Sequence, residues 1–500
     1  MFPQLDLSFE QFNTLADEGY SRVPVSGAIL SDTSTPITVL RALQTRSRHC
    51  YLLESAEQSD SWGRYTFLGF DPQEEISAMD GTVTHRILRG ERVVSESVVS
   101  DSNPRDIVAR ILAENTSPQM PELPPFTGGL VGYFGYDYLK YTEPHLNLNA
   151  EDAEGFKDLD LMLFDKVIAF DNYRQKIIVI VNACIRPDTD RLQVYGEARS
   201  QVETIITLIR SGEQVELEPG RVTSEFRTLF DEERFSSMVR AAKKYIYEGD
   251  IFQVVLSNRL DADFEGSLLG MYRILRTINP SPYMFYFASD DLEVAGASPE
   301  TLVKLRDGVL HTFPLAGTRP RSADDAENAR READLLADEK ELAEHNMLVD
   351  LGRNDLGKVS RFGSVVVEKY MELQRFSHVV HIGSTVRGEI VEGKTALDAI
   401  DAVLPAGTLS GAPKLRAMEI INELENNKRG IYGGAIGYID FTGNMDTAIG
   451  IRLAYKKNGK VFVRSGAGIV LDSDPQREYL ETVNKAKAVV EAIELSQEVH

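Results

Sequence analysis

The segment from 339 to 355, EKELAEHNMLVDLGRND, has the composition of a metal-binding helix face. Glu341, Glu344 and His345 fall at positions i, i+3 and i+4, so a helix would place two carboxylates and an imidazole on one side. Two glutamates at this spacing on an amphipathic helix more often face water, so a solvated face is the alternative for this motif alone.

A second acidic segment begins at Asp474 and reads DPQREYLETVNKAKAVVEAIE. Asp474 can cap a helix and Pro475 suits its first position, so Glu478, Glu481 and Lys485 would share a face. If this face meets the first one, four carboxylates converge, and their repulsion would raise each pKa unless a cation lies among them. We expect that cation to be Mg²⁺, which takes oxygen ligands and commonly leaves positions open for an anionic substrate.

The composition excludes several classes of protein. The 500 residues include 54 Lys and Arg against 77 Asp and Glu, a net charge of −23, so nucleic acid is not an expected partner. The first residues lack a signal-peptide pattern and no apolar run reaches about 18 residues, so we expect a cytoplasmic protein without a membrane span. Cys50 and Cys184 lie far apart, which predicts structural thiols and neither a disulfide framework nor a zinc site.

A polar stretch divides the predicted elements into two regions. Residues 211–225 contain a Pro-Gly pair and are the expected boundary between an N-terminal region, 1–225, and a second region, 226–500. In the first region, the glycines of the segment 126–135 predict a place where strand backbones approach closely. Trp62, the only tryptophan, is expected to be a packing residue.

Gln253 is a candidate site residue because it is a polar member of an apolar strand pattern. Residues 251–260 alternate as a strand does, and Gln253 shares its face with Ile251 and Val255. A buried glutamine needs hydrogen-bond partners, so a role in a site and structural pairing are about equally open.

Small residues after several predicted strands could offer backbone N–H groups to an anion. Glu300 and Gly317 each follow an apolar strand, and a glycine loop at 466–468 is expected before the second acidic helix. The residues 407–411 precede a helix that is predicted to begin at Pro413, where N–H groups could bind an anion, although the spacing is not that of a P-loop.

Three further side chains could bind or transfer charge. Arg452 is predicted to lie within an apolar strand, where a cation usually binds a carboxylate of the protein or of a ligand. His378 and His381 would face opposite sides of a strand, so they do not form a paired metal site, and a structural role is the more frequent one for either histidine alone.

The order of these motifs resembles the anthranilate synthase component I family of chorismate-utilising enzymes. The resemblance runs from LLES at residue 52 to NKAKA near residue 488, and its carriers in order are GDIFQVVLS, GASPE, PLAGTRP, DEKELAEHNMLVDLGRNDLG, PAGTLSGAPK, IYGGAIGY and GAGIVLDSDPQREYLET. It implies an α+β fold in which two large antiparallel β-sheets pack between helices, an α/β/β/α sandwich. It also makes 226–500 the chorismate-binding catalytic region.

The resemblance implies a Mg²⁺ site at the two acidic segments. Glu344 and Glu481 would bind the ion directly, Glu341 and Glu478 would support them, and His345 would become structural support. The residues expected to contact chorismate are Gly317, Thr318, Tyr432, Arg452, Gly466, Ala467, Gly468 and Lys485.

The resemblance further implies a two-step reaction. Ammonia adds to C2 of chorismate as the 4-hydroxyl leaves, and pyruvate is then eliminated to give anthranilate, the first step of tryptophan biosynthesis. Glu300 would donate a proton to the leaving hydroxide, His381 would remove the C2 proton, and Thr408 would orient neighbouring groups. Gln253 stands where isochorismate and salicylate synthases carry a lysine, which favours an enzyme that uses ammonia.

Two partners follow from the resemblance. The sequence has no glutaminase signature, so ammonia would come from a separate glutamine amidotransferase subunit in a hetero-oligomer, expected to be a heterotetramer. Tryptophan is the expected feedback inhibitor, and its pocket would contain Glu54, Ser55, Pro282, Tyr283, Met284 and Tyr438.

Several alternatives remain at this stage. The chain could be another chorismate-utilising enzyme, an aminodeoxychorismate or isochorismate synthase, although Ala316 replaces the lysine that the former carry. It could also be a non-catalytic, acidic metal-binding scaffold. A nucleotide-dependent enzyme that uses the segment 405–414 is disfavoured by the P-loop spacing.

Overall fold

The computed structural model describes residues 4–5, 7–56, 63–322, 324–375 and 379–498. Trp62 and His378 lie outside the described residues. The α-helices are α1 (Phe9–Asp17), α2 (Pro36–Leu43), α3 (Pro104–Glu114), α4 (Arg191–Ser211), α5 (Glu232–Glu248), α6 (Leu269–Ile278), α7 (Asp325–Ala337), α8 (Glu339–Gly357), α9 (Ala396–Val403), α10 (Lys414–Glu425) and α11 (Pro475–Leu495). Short 3₁₀ turns lie at Tyr136–Tyr141, Gly407–Leu409 and Ser496–Glu498.

The strands, in chain order, are β1 (Gln4–Leu5), β2 (Arg22–Leu30), β3 (Cys50–Glu54), β4 (Tyr65–Phe70), β5 (Glu74–Met79), β6 (Thr82–Arg89), β7 (Arg92–Val99), β8 (Gly129–Phe134), β9 (Leu159–Phe164), β10 (Lys166–Asp171), β11 (Lys176–Cys184), β12 (Arg221–Val222), β13 (Arg227–Thr228), β14 (Gln253–Glu265), β15 (Tyr283–Ala288), β16 (Glu293–Ser298), β17 (Thr301–Arg306), β18 (Val309–Thr312), β19 (Leu315–Pro320), β20 (Val366–Arg375), β21 (Val379–Glu389), β22 (Gly411–Ala412), β23 (Ala435–Asp440), β24 (Met445–Ile449), β25 (Leu453–Lys457) and β26 (Lys460–Ile469).

These strands form two large sheets. The first has the order β1-β2-β11-β10-β4-β3-β15-β16-β25-β26-β14-β12, with β13 and β22 also paired to β14. The second has the order β19-β21-β18-β17-β24-β23-β8-β9-β5-β6-β7, with β20 paired to β21. Strands from both sequence regions contribute to both sheets, because β3 pairs antiparallel with β15 and β8 pairs antiparallel with β23.

The apolar residues are arranged in layers. One cluster packs α4, α6 and α11 against the outer face of the first sheet, and another packs α3, α8 and α9 against the second. A third cluster, which includes Phe67, Phe285, Val131 and Met162, fills the space between the sheets. The predicted α+β sandwich is therefore confirmed.

The glycines of β8 permit the close strand approach that their spacing predicts. A Cβ atom at Gly132 would lie 2.0 Å from the carbonyl oxygen of Asp160, and one at Gly129 would lie 2.2 Å from that of Ile439. Any larger residue would push the neighbouring strands β9 and β23 apart.

Two sequence predictions of local structure are wrong. Arg452 does not lie in a strand but in the bend between β24 and β25, with a φ of 52°. Gly466 to Gly468 do not form a loop, because they are the last part of β26 and pair with β14.

Both cysteines carry free thiols, as expected. Over the described ranges, no helix has the length and apolar character needed to cross a bilayer.

Candidate functional site

Both acidic segments form helices, and Asp474 caps the second as predicted, while the first is capped by Asp338. The Asp338 side chain accepts hydrogen bonds from Lys340 N and Glu341 N at the start of α8. At the start of α11, the Asp474 side chain accepts from Arg477 N at 3.0 Å. These caps fix which faces of the helices carry the glutamates.

The acidic faces of the two helices lie near each other, because the same two lysines, Lys340 on α8 and Lys485 on α11, affect carboxylates of both helices. Burial and the charge of Glu341 raise the pKa of Glu344, while Lys340 and Lys485 lower it. Burial likewise raises the pKa of Glu478, the neighbouring Glu481 adds to this, and the same two lysines oppose it.

These oxygen donors fit Mg²⁺ in kind, because it prefers carboxylate ligands. Glu481 is half-exposed and forms an ion pair with Lys485 at 2.7 Å. Among the described side chains, no three Asp, Glu, His or Cys residues stand close enough together to hold one ion.

Gln253 lies beside this carboxylate group. Its side chain is 5% exposed and forms a hydrogen bond with Glu344, which lowers the pKa of that carboxyl group. The adjacent strand β26 leaves room for it, because a Cβ atom at Gly468 would lie 2.7 Å from Gln253 Nε2. A Cβ atom at Gly466 would lie 2.8 Å from the hydroxyl of the buried Tyr432. Gly466 and Gly468 therefore have to be glycine, because the side chains of Tyr432 and Gln253 occupy the space that a Cβ atom would need.

Glu300 has the properties of a proton donor at neutral pH. Burial raises its pKa to about 7, against the opposing effects of a hydrogen bond from Thr408 and the charge of Lys485. Thr408 Oγ1 donates to Glu300 Oε1 at 3.1 Å from the 3₁₀ turn Gly407–Leu409.

His381 is held as a neutral imidazole. Its Nδ1 lies 2.8 Å from the carbonyl oxygen of Gly317 and 3.1 Å from Thr318 Oγ1. Because a carbonyl oxygen can only accept, Nδ1 carries the proton and Nε2 is the nitrogen that can act as a base. Burial lowers the pKa of His381, and the nearby charge of Arg452 lowers it further.

Arg452 and Lys485 line a cavity of about 450 Å³ together with Glu481, Arg477 and Asn484. Burial lowers the pKa of Arg452. Lys485 also donates to the carbonyl oxygen of Gly466 at 3.0 Å. Arg452 and Lys485 are thus two cations beside the glutamates of α11, and a small anion could bind to them next to a metal ion.

His345 lies apart from these groups. It is fully buried, its Nε2 is 2.6 Å from Ser384 Oγ, and burial lowers its pKa to about 4. It therefore remains uncharged at neutral pH, in agreement with a supporting role.

Lys340 and Arg477 were not among the sequence candidates. Lys340 precedes Glu344 by four residues on α8, and this i, i+4 spacing was a signal that could have identified it. Arg477 belongs to the DPQREYLET motif and lines the cavity, but its isolated position gave no chemical signal.

A second cavity, of about 560 Å³, lies between the two sheets. All six residues predicted for tryptophan binding line it: Glu54, Ser55, Pro282, Tyr283, Met284 and Tyr438. The structure brings them together through the pairing of β3 with β15, in which Glu54 is opposite Met284. The cavity therefore assembles side chains that are more than two hundred residues apart in the sequence.

Polar and aromatic groups are both present in this cavity. Glu54 lines it, and its carboxylate is held by an ion pair with Arg276 at 2.6 Å and a hydrogen bond from Tyr272, two residues of α6 that do not line the cavity. The ring of Tyr438 stacks on Phe126 at a centroid distance of 4.2 Å. The Tyr283 hydroxyl donates to Asp446 Oδ1 at 2.8 Å. Such a site suits a ligand with both an aromatic ring and charged groups.

Comparisons with known proteins identify chains that are similar over nearly the whole length. A family model described as chorismate binding enzyme matches residues 48–491. Anthranilate synthase component 1 of Acetivibrio thermocellus is 43% identical over 485 residues, which cover 96% of this chain and 97% of that protein. The protein of the same name from Aquifex aeolicus is 44% identical over 502 residues and covers 99% of each chain.

Solved structures give the same result for the fold. The crystal structure of anthranilate synthase component I from Streptococcus pneumoniae superposes with a TM-score of 0.75 at 37% identity, covering 92% of this chain and 98% of that chain. The menaquinone-specific isochorismate synthase of Escherichia coli, at 20% identity, gives a TM-score of 0.69 and covers 97% of this chain and 98% of its own. The second comparison supports the fold alone.

Proposed function

Because the chain belongs to the anthranilate synthase component 1 group of the chorismate binding enzymes, we propose that it converts chorismate and ammonia to anthranilate and pyruvate. The observation that carries the proposal is the combination of a carboxyl group with a pKa near 7, Glu300, and a neutral imidazole, His381. Two residues that line the 450 Å³ cavity act on these groups: the charge of Lys485 lowers the pKa of Glu300, and the charge of Arg452 lowers the pKa of His381.

In the first step, the nitrogen of ammonia forms a bond to C2 of the ring, both ring double bonds shift by one position, and the bond from C4 to its hydroxyl oxygen breaks. The ammonium group formed at C2 then loses a proton to solvent. Glu300 donates the proton with which that oxygen leaves as water, since hydroxide is a poor leaving group at neutral pH. Thr408 holds the carboxyl group in place, and Gln253 holds Glu344.

In the second step, His381 Nε2 accepts the proton from C2, the bond from C3 to the enolpyruvyl oxygen breaks, and the ring becomes aromatic. The tautomer that Gly317 selects gives Nε2 the lone pair for this role. Thr318, Tyr432, Arg452, Lys485 and the strand 466–468 are the proposed contacts of the substrate's carboxylates and ring.

Mg²⁺ is the proposed cofactor, bound by Glu344 and Glu481 with Glu341 and Glu478 behind them. When bound, the ion supplies charge neutralisation for a substrate carboxylate. The proposal is supported by the burial of Glu344 and Glu478 and by the repulsion that each receives from its neighbour, Glu341 or Glu481, both of which a cation would offset.

Ammonia is proposed to come from a separate glutamine amidotransferase subunit in a hetero-oligomer. Burial raises the pKa of the Cys50 thiol to about 12, so it is unsuited to act as a glutaminase nucleophile. We also retain the proposal of a cytoplasmic location.

The test of this function is to incubate the purified chain with chorismate, Mg²⁺ and ammonium at alkaline pH and to follow anthranilate fluorescence. We expect fluorescence to appear and to be abolished by EDTA. Isochorismate or aminodeoxychorismate as the end product would contradict the proposal.

Tryptophan is the proposed feedback inhibitor at the cavity between the sheets. We expect about 1 mM tryptophan to inhibit the enzyme, since an inhibitor of micromolar affinity saturates at that concentration. Replacing Glu54 by Gln should raise the concentration that gives half-inhibition about tenfold or more, because the ion pair with Arg276 that holds Glu54 at the cavity wall is lost. Each variant's inhibition is measured relative to its own uninhibited rate. Unchanged activity at 1 mM tryptophan in the unsubstituted enzyme would refute the inhibitor site.

A further inference from the structure

We propose that Arg429, a buried residue between α10 and β23, is a positioning residue that holds the Thr408 turn against the rest of the catalytic site. Its side chain is only 1% exposed. Its Nη1 donates to the carbonyl oxygen of Leu409 at 2.7 Å, and its Nη2 donates to the carbonyl oxygen of Val255 at 2.7 Å. One guanidinium group thus joins the turn that carries Thr408 to the strand that carries Gln253.

The direction of this guanidinium group is fixed by a carboxylate. Glu425, 3% exposed, accepts from Arg429 Nε at 3.0 Å and from Nη2 at 2.5 Å. Glu425 Oε1 also accepts from the backbone N–H of Ser257 at 2.7 Å. A two-point contact of this kind fixes both the plane and the position of the arginine, which a single point charge could not do.

Aromatic rings complete the position of Arg429. The guanidinium carbon lies 4.6 Å from the ring centroid of Tyr136 and 5.8 Å from that of Tyr432. Tyr432 is the residue whose hydroxyl lies against Gly466 in the proposed substrate site. Arg429 therefore contacts three elements of the site: the Thr408 turn, β14 and Tyr432.

This inference rests on the proposed function, because it takes Glu300 as the proton donor. The bond from Thr408 and the charge of Lys485 on α11 are the two effects that oppose the rise in the pKa of Glu300. If the Leu409 carbonyl loses Arg429, the turn is free to move and the bond from Thr408 to Glu300 weakens. The pKa of Glu300 should then rise further.

Arg464 provides a matched comparison within the same buried cluster. It is 2% exposed and donates to Glu425 Oε2 at 3.1 Å, as Arg429 does. Its other hydrogen bonds go to Ser257 Oγ, to Asn427 and to the carbonyl oxygen of Lys428. Its replacement should therefore weaken the fold without releasing the Thr408 turn.

The experiment compares Arg429→Lys, Arg464→Lys, Thr408→Val and the double variant Arg429→Lys/Thr408→Val. For each, kcat/KM for chorismate is measured against pH with free ammonia held constant and Mg²⁺ saturating, and the thermal midpoint is measured in parallel. In each pH profile, the fall of kcat/KM at high pH is called the alkaline limb. We expect Arg429→Lys and Thr408→Val to move this limb to higher pH by about half a pH unit or more, with kcat about tenfold lower. The double variant should resemble Thr408→Val, and Arg464→Lys should lower the thermal midpoint while its alkaline limb stays in place.

An unmoved limb in Arg429→Lys, or a shift of equal size in Arg464→Lys, would overturn the inference. A shift in Thr408→Val without one in Arg429→Lys would overturn it while leaving the role of Glu300 standing. If neither moves the limb, the inference fails together with that role. If Arg429→Lys does not fold, Glu425→Asp replaces it. This variant keeps the negative charge at position 425 and the positive charge of Arg429, but its shorter side chain moves the carboxylate away from Arg429. It must shift the alkaline limb in the same direction for the inference to stand.

Discussion

Replacing Glu344 by Gln is expected to abolish Mg²⁺-dependent turnover while leaving the fold intact. A neutral amide cannot provide the anionic oxygen that a hard divalent ion requires, so we expect anthranilate formation to fall about a thousandfold or more. The fold should survive because burial and the charge of Glu341 already disfavour the ionised carboxylate of Glu344. The thermal midpoint without metal should be unchanged or raised.

The matched control for this variant is Glu339→Gln, which changes the same functional group on the exposed side of the first turn of α8. We expect this control to retain Mg²⁺-dependent activity. Binding of Mg²⁺, followed by titration calorimetry, should be lost in Glu344→Gln and kept in Glu339→Gln. Near-normal activity in Glu344→Gln would overturn the proposed metal site.

Replacing Glu300 by Gln is expected to lower kcat by a factor of about 10² to 10⁴, the usual contribution of a positioned general acid. The pKa of Glu300 is raised to about 7, so the proton-donating form predominates below that pH and is lost as the pH rises through it. At constant free ammonia, kcat/KM of the unsubstituted enzyme should therefore fall above about pH 7. This fall should be absent in Glu300→Gln.

The two steps can be separated by comparing Glu300→Gln with His381→Asn. The first substitution removes the acid for departure of the C4 oxygen, so we expect little aminated intermediate. The second removes the base for C2, so the aminated, non-aromatic intermediate should accumulate in place of anthranilate. Quenched reactions analysed by mass spectrometry distinguish these outcomes, and accumulation of the intermediate in Glu300→Gln would contradict the assigned roles.

The acidic helices were predictable because their signals are local. The glutamates of α8 and α11 follow each other at helical spacing, and Asp474 is a cap residue directly before α11, so sequence alone placed them on the correct elements. The sheets could not be derived in this way. The pairing of Glu54 with Met284 joins residues far apart in the chain, and no local periodicity specifies such a pairing; the expectation of two sheets came from the family resemblance.

The errors have physical causes as well. Arg452 is flanked by Ile451 and Leu453, so the pattern indicates a strand, but its positive φ turns the chain between two strands. Gly466 and Gly468 resembled a loop, although glycine is needed there because Tyr432 and Gln253 occupy the space of a Cβ atom. Glu425 and Arg429 stand at i, i+4 spacing, which is typical of a surface ion pair, and the contacts of Arg429 with Leu409 and Val255 reach segments distant in sequence that no local pattern indicates. Membership in the chorismate binding family also removes the scaffold and nucleotide-enzyme alternatives.

The most direct measurement of the central claim uses ¹⁵N-labelled ammonium with chorismate and Mg²⁺ and determines both products of the purified chain. We predict that ¹⁵N enters anthranilate and that pyruvate forms in equal amount, with both products lost when EDTA is present. Unlabelled anthranilate, or consumption of chorismate without pyruvate, would contradict the account.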